Sequence, residues 1–300
     1  MRTFLNLDPE YTRQETALFH VQPIPYEGTV CFESGTAEGP DAILAVSDQM
    51  EYIDETTHYS FFRHGVYTWD PIPAASTPTE EMARIEETVD RRELFRPDRF
   101  PVFLGGEHSI TAPVVYAAKK VYPNLSVIQF DAHSDLRDEF PPGGKASHAS
   151  VMRRVLEVVS HLVQVGIRSF SEEDLIACPN QVKHFITPDL LDTSAGDVFE
   201  SILESMLGQL TDPVYLTIDM DVFDPSAAPG VGTPEPGGLT WRQVTRILER
   251  LFQTRKVIGA DVVETMPLGG RNVVTEFMAA RLVGKIMTGA SLAWDREHLT

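Results

Sequence analysis

Positive charge and cysteine are scarce in this chain, and each shortage closes off a class of function. Lysine and arginine number 25 against 44 aspartates and glutamates, a formal charge of −19. A surface of that sign repels phosphate backbones and anionic headgroups, so neither nucleic acid nor a membrane is an expected partner. A small cationic substrate suits it better. The two cysteines, Cys31 and Cys178, stand far apart and form no CxxC pair. They make neither a disulfide framework nor a thiolate zinc site, and both are expected as inert, buried thiols. Long apolar runs are missing as well. No stretch approaches the length of a membrane span, and no signal-peptide core precedes Asp8. A reducing cytoplasm is the expected setting. With no repeat, low-complexity tract or long linker, residues 1–300 are expected to form a single domain. The segment Pro71 to Pro78 is the best alternative boundary, but it leaves only a short piece ahead of it.

What the chain has in quantity is short apolar runs separated by helical patterns. Strands are expected at Phe19 to Ile24, Val102 to Leu104, Leu125 to Phe130, Leu162 to Gly166, Val214 to Ile218 and Val257 to Val263. Continuous β-branched runs of this kind suit strands covered on both faces, hence a parallel sheet. Helices are expected at Glu80 to Arg91, Ala112 to Val121, Ala149 to Val159, Val198 to Leu210, Trp241 to Phe252 and Val274 to Met287. Ser147 and Thr240 are placed to cap two of them. The alternation predicts a layered α/β fold.

Polar residues cluster where these strands end. Asp131-Ala132-His133-Ser134-Asp135 comes directly after the strand ending at Phe130. Alternate residues of an extended segment point the same way, which would converge Asp131, His133 and Asp135 on one side. Asp219 and Asp221 repeat the spacing after Ile218, and His108 comes after the turn Gly105-Gly106. Taken singly, an Asp-x-Asp is commonly a turn or a helix cap, and a histidine after Gly-Gly a loop residue. Together, at the strand edge where open α/β sheets build their sites, they read as ligands. Four aspartates and two histidines suit two divalent ions, manganese rather than a thiolate-seeking metal. The loop Ser226 to Leu239, with three prolines and four glycines, comes closely after Asp221 and would lie over those ions.

These segments resemble the ureohydrolases, the arginase and agmatinase family. The resemblance rests on Gly105-Gly106-Glu107-His108-Ser109, on the Asp131 to Asp135 motif, on Thr217 to Pro225 and on Asp261-Val262-Val263-Glu264. Tyr26 to Thr29, Gly35 to Pro40 and the loop Ala228 to Leu239 look more like agmatinases than arginases. Nearly the whole chain is covered, in the family's order. The resemblance implies a three-layer α/β/α domain with a mainly parallel eight-stranded sheet and two Mn2+ ions per chain. It assigns His108, Asp131, Asp135 and Asp219 to one ion, and His133, Asp131, Asp219 and Asp221 to the other, with bridging carboxylates between them. Glu264 matches the carboxylate that holds the guanidinium, and His148 the histidine that passes a proton to the departing amine. Ala149 stands where many members have glycine. Glu107 and Asp224 would orient neighbours or cap turns, and Arg137, Arg168 and Arg271 would be structural ion-pair partners. The remaining histidines, His20 and His64 among them, are expected on the surface or packed. Trimers or hexamers are implied as well.

The expected reaction is hydrolysis of a guanidino compound to an amine and urea, with agmatine to putrescine the favoured case. The loop Leu136 to Lys145 lacks a recognisable grip for an amino-acid head, which argues against arginine. Asp138, Glu139, Glu172 and Glu173 are candidates for the substrate's ammonium, whereas Arg137 or Lys145 would serve a carboxylated tail such as guanidinobutyrate or guanidinopropionate. Two other classes stand beside this one: a non-catalytic member of the fold, and a single-zinc deacylase, which six ligand positions disfavour.

Overall fold

The computed structural model describes residues 2–177, 182–186 and 197–298. Eight strands form one sheet: β1 Phe19–Ile24, β2 Val66–Thr68, β3 Phe100–Gly105, β4 Ser126–Phe130, β5 Leu162–Ile167, β6 Val182–Ile186, β7 Val214–Asp219 and β8 Val257–Val263. Their order is β2-β1-β3-β8-β7-β4-β5-β6, and every pairing is parallel. The six expected strands all form, β1 and β8 with the expected bounds. The two not foreseen, β2 and β6, are the edge strands.

Helices cover both faces. On one side lie α1 Gly39–Ser47, α6 Asp197–Leu207, α7 Trp241–Thr254 and α8 Val274–His298; on the other α2 Pro78–Arg91, α3 Thr111–Val121 and α4 Val151–Val155. A short helix, α5 Glu172–Ala177, comes after β5. Period-2 alternation divides the sheet between two cores. Val102 and Leu104 pack with Val283 and Ile247 on the first side, and Phe103 packs with Ile85 and Val115 on the second. α7 shows how its sequence makes a helix. Val244, Ile247, Leu248 and Leu251 recur at helical spacing and are buried. Its first turn is closed by a capping box, with Gln243 N–H donating to Thr240 Oγ1 at 3.3 Å and Thr240 N–H to Gln243 Oε1 at 2.9 Å.

Ser147 does not cap in this way. It precedes a 3-10 turn, His148–Ser150, and its side chain makes no capping bond there. The expected helix over 149–159 is correspondingly short, because the first residues wind as that turn and α4 ends at Val155. No helix among the described residues is long and apolar enough to cross a membrane.

His20 is packed, not superficial. It is fully buried in β1, where Nε2–H donates to the Ala17 carbonyl at 3.2 Å and Nδ1 accepts Trp69 Nε1–H at 3.1 Å. Burial, helped by the nearby Arg99, lowers its pKa to about 4. A histidine held neutral in the fold contributes stability that is present above its unfolded pKa and lost as pH falls towards the folded value. Between roughly pH 7 and pH 5 the loss should be about 2 kcal/mol. Urea denaturation of metal-free protein at the two pH values, with the His20→Gln variant as control, measures it; an equal pH slope in the variant would remove His20 from the account.

Candidate active site

The four central strands β3, β8, β7 and β4 are neighbours in the sheet, and their carboxyl ends supply the expected site residues. After β3 the chain turns through Gly105 and Gly106 into a 3-10 turn beginning at His108. A side chain at Gly106 is impossible there, since a Cβ would stand 2.0 Å from the Tyr26 carbonyl oxygen. Asp131 comes directly after β4, Asp219 is the last residue of β7, and Glu264 comes directly after β8. Asp135 and Glu264 both adopt left-handed backbone, with φ of 52° and 60°. Plain strand alternation therefore does not by itself place Asp135. Non-glycine residues in that region are strained by roughly 1–3 kcal/mol, a cost met by surrounding structure and concentrated at functional sites.

His108 Nδ1 lies 3.0 Å from Asp131 Oδ2, 3.2 Å from Asp135 Oδ2 and 3.4 Å from Asp219 Oδ2. It is buried and hydrogen-bonded to none of them. The ring is turned this way because Nε2 is held by Thr217 Oγ1 at 2.9 Å. Across the site, His133 Nδ1 is 2.8 Å from Asp221 Oδ2 and 3.6 Å from Asp131 Oδ1. Donor atoms of His108, Asp131 and Asp135 lie within 4.8 Å of one another, as do those of Asp131, His133 and Asp221. Asp131 thus belongs to two trios. A buried nitrogen with no hydrogen-bond partner, facing three carboxylates, is unusual in proteins and fits a metal-binding donor set.

The electrostatics agree. Burial, then Asp221 and Asp131, push Asp219 well above the usual carboxylate range, and burial with Asp131 pushes Asp135 up to about 6. Burial alone would lower His133, but Asp221 and Asp131 override it and raise the ring to about 12. Burial would likewise raise Asp131, yet His108 and His133 hold it well below the ordinary range. Too many carboxylates share too little positive charge. Divalent cations would relieve this where protons otherwise must.

Glu264 is half-buried beside this cluster, its Oε1 accepting the His108 N–H at 2.6 Å. Burial and the neighbouring Glu107 raise it well above the ordinary range. His148 begins its 3-10 turn with its ring against Thr29 Oγ1, at 3.1 Å from Nδ1, and against Cys31 Sγ, at 3.6 Å from Nε2. Burial, then the charges of His108 and His133, lower it to about 4. The six expected ligand positions divide between the pocket and the buried layer beneath it. A cavity of about 220 Å³ is lined by His108, His133, Asp135, Asp219, Asp221, Glu264 and His148, while Asp131 lies beneath.

Several expectations are corrected here. Cys31 is exposed and lines the cavity, not an inert buried thiol; Cys178 lies outside the described residues. Glu172 and Glu173 are exposed and do not line the cavity, and Asp138 is paired with Arg154 at 3.0 Å. The acid of that region that does line it is Asp174, which sequence reasoning passed over. Ser134 Oγ and Ser171 N–H donate to its Oδ2 at 2.9 and 2.8 Å, while the buried Oδ1 has no hydrogen-bond partner. Arg168 is held by carbonyls, not carboxylates: those of Asp221 and Glu235 accept from it at 2.6 and 2.8 Å. Asp224 caps turns as expected, accepting Ser226 N–H at 3.0 Å and Gly237 N–H at 2.9 Å. Glu107 does orient neighbours, Thr29 and Ser109.

Residues 17–289 match the sequence profile of the Arginase family. An N(1)-aminopropylagmatine ureohydrolase of Synechocystis sp. is 42% identical over 275 residues, covering 89% of this chain and 87% of that protein. An agmatinase of Bacillus subtilis is 30% identical over 296 residues, 96% of each chain. The crystal structure of agmatine ureohydrolase of Thermoplasma volcanium aligns with a TM-score of 0.84 at 28% identity, over 99% of this chain and 97% of that one. Strand-end motifs, sheet order and near full-length similarity therefore meet in one assignment: this chain belongs to the arginase family and is an agmatinase-like ureohydrolase.

Proposed function

We propose that the protein hydrolyses the guanidino group of a polyamine-type substrate, N(1)-aminopropylagmatine or agmatine, to urea and the free amine, using two manganese ions. The observation that carries the reading is the pair of donor trios sharing Asp131, with the half-buried Glu264 carboxylate at their edge. His108, Asp131, Asp135 and Asp219 would hold one ion, and Asp131, His133, Asp219 and Asp221 the other. When bound, such a pair supplies an attacking water acidified towards neutrality. The chain's own residues do the rest. Glu264 pairs with the planar guanidinium, whose charge it needs in a buried setting, and fixes its orientation. His148 passes a proton to the departing nitrogen.

The tail is where relatives differ. The relative at 42% identity is named for the aminopropyl derivative, and the agmatinase stands at 30%. Glu33, Asp174, Phe32 and Phe170 line the cavity and suit an aliphatic chain bearing ammonium groups. A second reading has its own support: Arg137 also lines the cavity, its guanidinium 4.8 Å from the Phe140 ring, and would suit a carboxylated tail. The partner is read as a small cationic guanidino substrate, met by a cytoplasmic trimer or hexamer.

Urea release by manganese-loaded protein separates these readings across N(1)-aminopropylagmatine, agmatine, guanidinobutyrate, guanidinopropionate and arginine. A kcat/KM higher by tenfold or more for the polyamine-type compounds is expected, a difference of about 1.4 kcal/mol. Preference for a guanidino acid would overturn the tail assignment and leave the chemistry.

A further inference from the structure

Behind the cavity wall, the buried Thr29 sits between Glu107 and His148 and bonds to both. Its neighbour Glu107 is buried, and the carboxylate collects four donors. Gly28 N–H and Thr29 N–H donate to Oε2 at 2.8 and 2.7 Å. Ser109 and Thr29 hydroxyls donate to Oε1 at 2.5 and 2.6 Å. A threonine hydroxyl has one hydrogen, and this one is committed to Glu107. Thr29 Oγ1 therefore offers His148 only lone pairs. It accepts the His148 backbone N–H at 3.0 Å, and the Nδ1 atom of the same residue lies 3.1 Å away. Ser147 Oγ is a more distant neighbour of Nδ1, at 3.4 Å.

We propose that Thr29 is a positioning residue that fixes the tautomer of His148: Nδ1 carries the hydrogen and Nε2 is left bare on the side of Cys31. In a neutral imidazole one nitrogen donates and the other accepts, so an acceptor at Nδ1 decides both. The arrangement leaves Nε2 as the atom that takes up and releases the proton. Both chain contacts from Thr29 serve this end, since the bond to the His148 backbone holds the turn while the contact to the ring sets its chemistry. Phe140, with its ring centroid 5.9 Å from that of His148 and nearly perpendicular, restricts the imidazole further. No local sequence pattern connects residues 29, 107 and 148. β1 and β3 are adjacent, and their loops lock together through Glu107 N–H on the Tyr26 carbonyl at 2.9 Å.

The inference rests on the proton-transfer role proposed for His148, and the experiment keeps the two apart. Nitrogen-15 NMR of histidine-labelled protein loaded with diamagnetic magnesium in place of manganese, with His148→Asn used to assign the resonance, should show His148 in wild type as the Nδ1–H tautomer. Thr29→Val should lose that signature and lower kcat by about ten- to hundredfold with KM little changed, in line with other residues that orient a functional group from behind. Thr29→Ser should restore both. An Nε2–H tautomer in wild type overturns the inference whatever the variants do, as does a Thr29→Val enzyme that folds and keeps its kcat. Full activity in His148→Asn would overturn the role of His148 itself, and the inference with it. If His148→Asn is inactive while Thr29→Val retains both tautomer and kcat, the inference alone fails.

Discussion

Asp131→Asn should bind well under two manganese ions per chain and release urea at least about a thousandfold more slowly, since acidified water depends on those ions. The substitution is nearly isosteric, so the effect isolates charge. Asp131 contributes a donor atom to both trios. Its oxygens are already aligned by Gln129 Nε2–H and His133 N–H, each at 2.6 Å, so it is held rigid before any ion arrives. Removing one of four aspartate charges from a shared position weakens both ions at once, unlike loss of Asp135 or Asp221, each confined to one trio. Metal analysis of dialysed protein alongside the urea assay checks it. Two ions per chain with near-normal turnover in the variant would show that the trios do not form the site.

Glu264→Gln should fail differently. Glutamine can still accept the His108 N–H, so the local fold and the metal content should survive. What it loses is the negative charge opposite a guanidinium. Breaking one partner of a buried, hydrogen-bonded charge pair costs roughly 3–5 kcal/mol, which corresponds to about two to three and a half orders of magnitude in kcat/KM. The pair of variants is therefore diagnostic. Both are poor enzymes, but only Asp131→Asn should be short of metal. Equal depletion in Glu264→Gln would make Glu264 a support of the metal site and not a holder of substrate.

Most of the strand ends were legible in the chain because two rules coincide there. Buried parallel strands read as continuous apolar runs, and each run gives way to polar residues at the carboxyl edge of the sheet. β2 and β6 escaped for related reasons. β2 is three residues long, and β6 reads Val-Lys-His-Phe-Ile, a mixed run at the sheet's rim. α1 begins at Gly39-Pro40, residues that look like a loop until proline is seen as a helix's first turn. Thr240 caps its helix as expected, and Gln243, not foreseen, completes a capping box with it. Ser147 looked equally good and does not cap: the turn after it is 3-10, and the Ser150 N–H goes to the Ser147 carbonyl at 3.0 Å, not to its hydroxyl. Cys31 and Asp174 in the cavity wall, and the buried Thr29 behind it, were not readable from the sequence. Their importance arises from contacts across 40 to well over a hundred residues, which no local spacing encodes.

In the loop from Ser226 to Leu239, the fastenings are spread along the segment. Arg168 grips carbonyls at its entrance and near its exit, Asp224 ties Ser226 to Gly237 and Gly238, and Gly230 is pinned midway to Met266 and Thr275. Surface loops ordinarily accept extra residues at slight entropic cost, because their ends are their only fixed points. This one is held at its neck and at its middle, so an added residue would have to break a fastening before it could be accommodated. Over evolutionary time such a segment should behave as a ruler. Descendants of a common ancestor are expected to keep its length, and to keep Gly230 and Gly238, where a Cβ would stand 2.4 and 2.3 Å from backbone atoms.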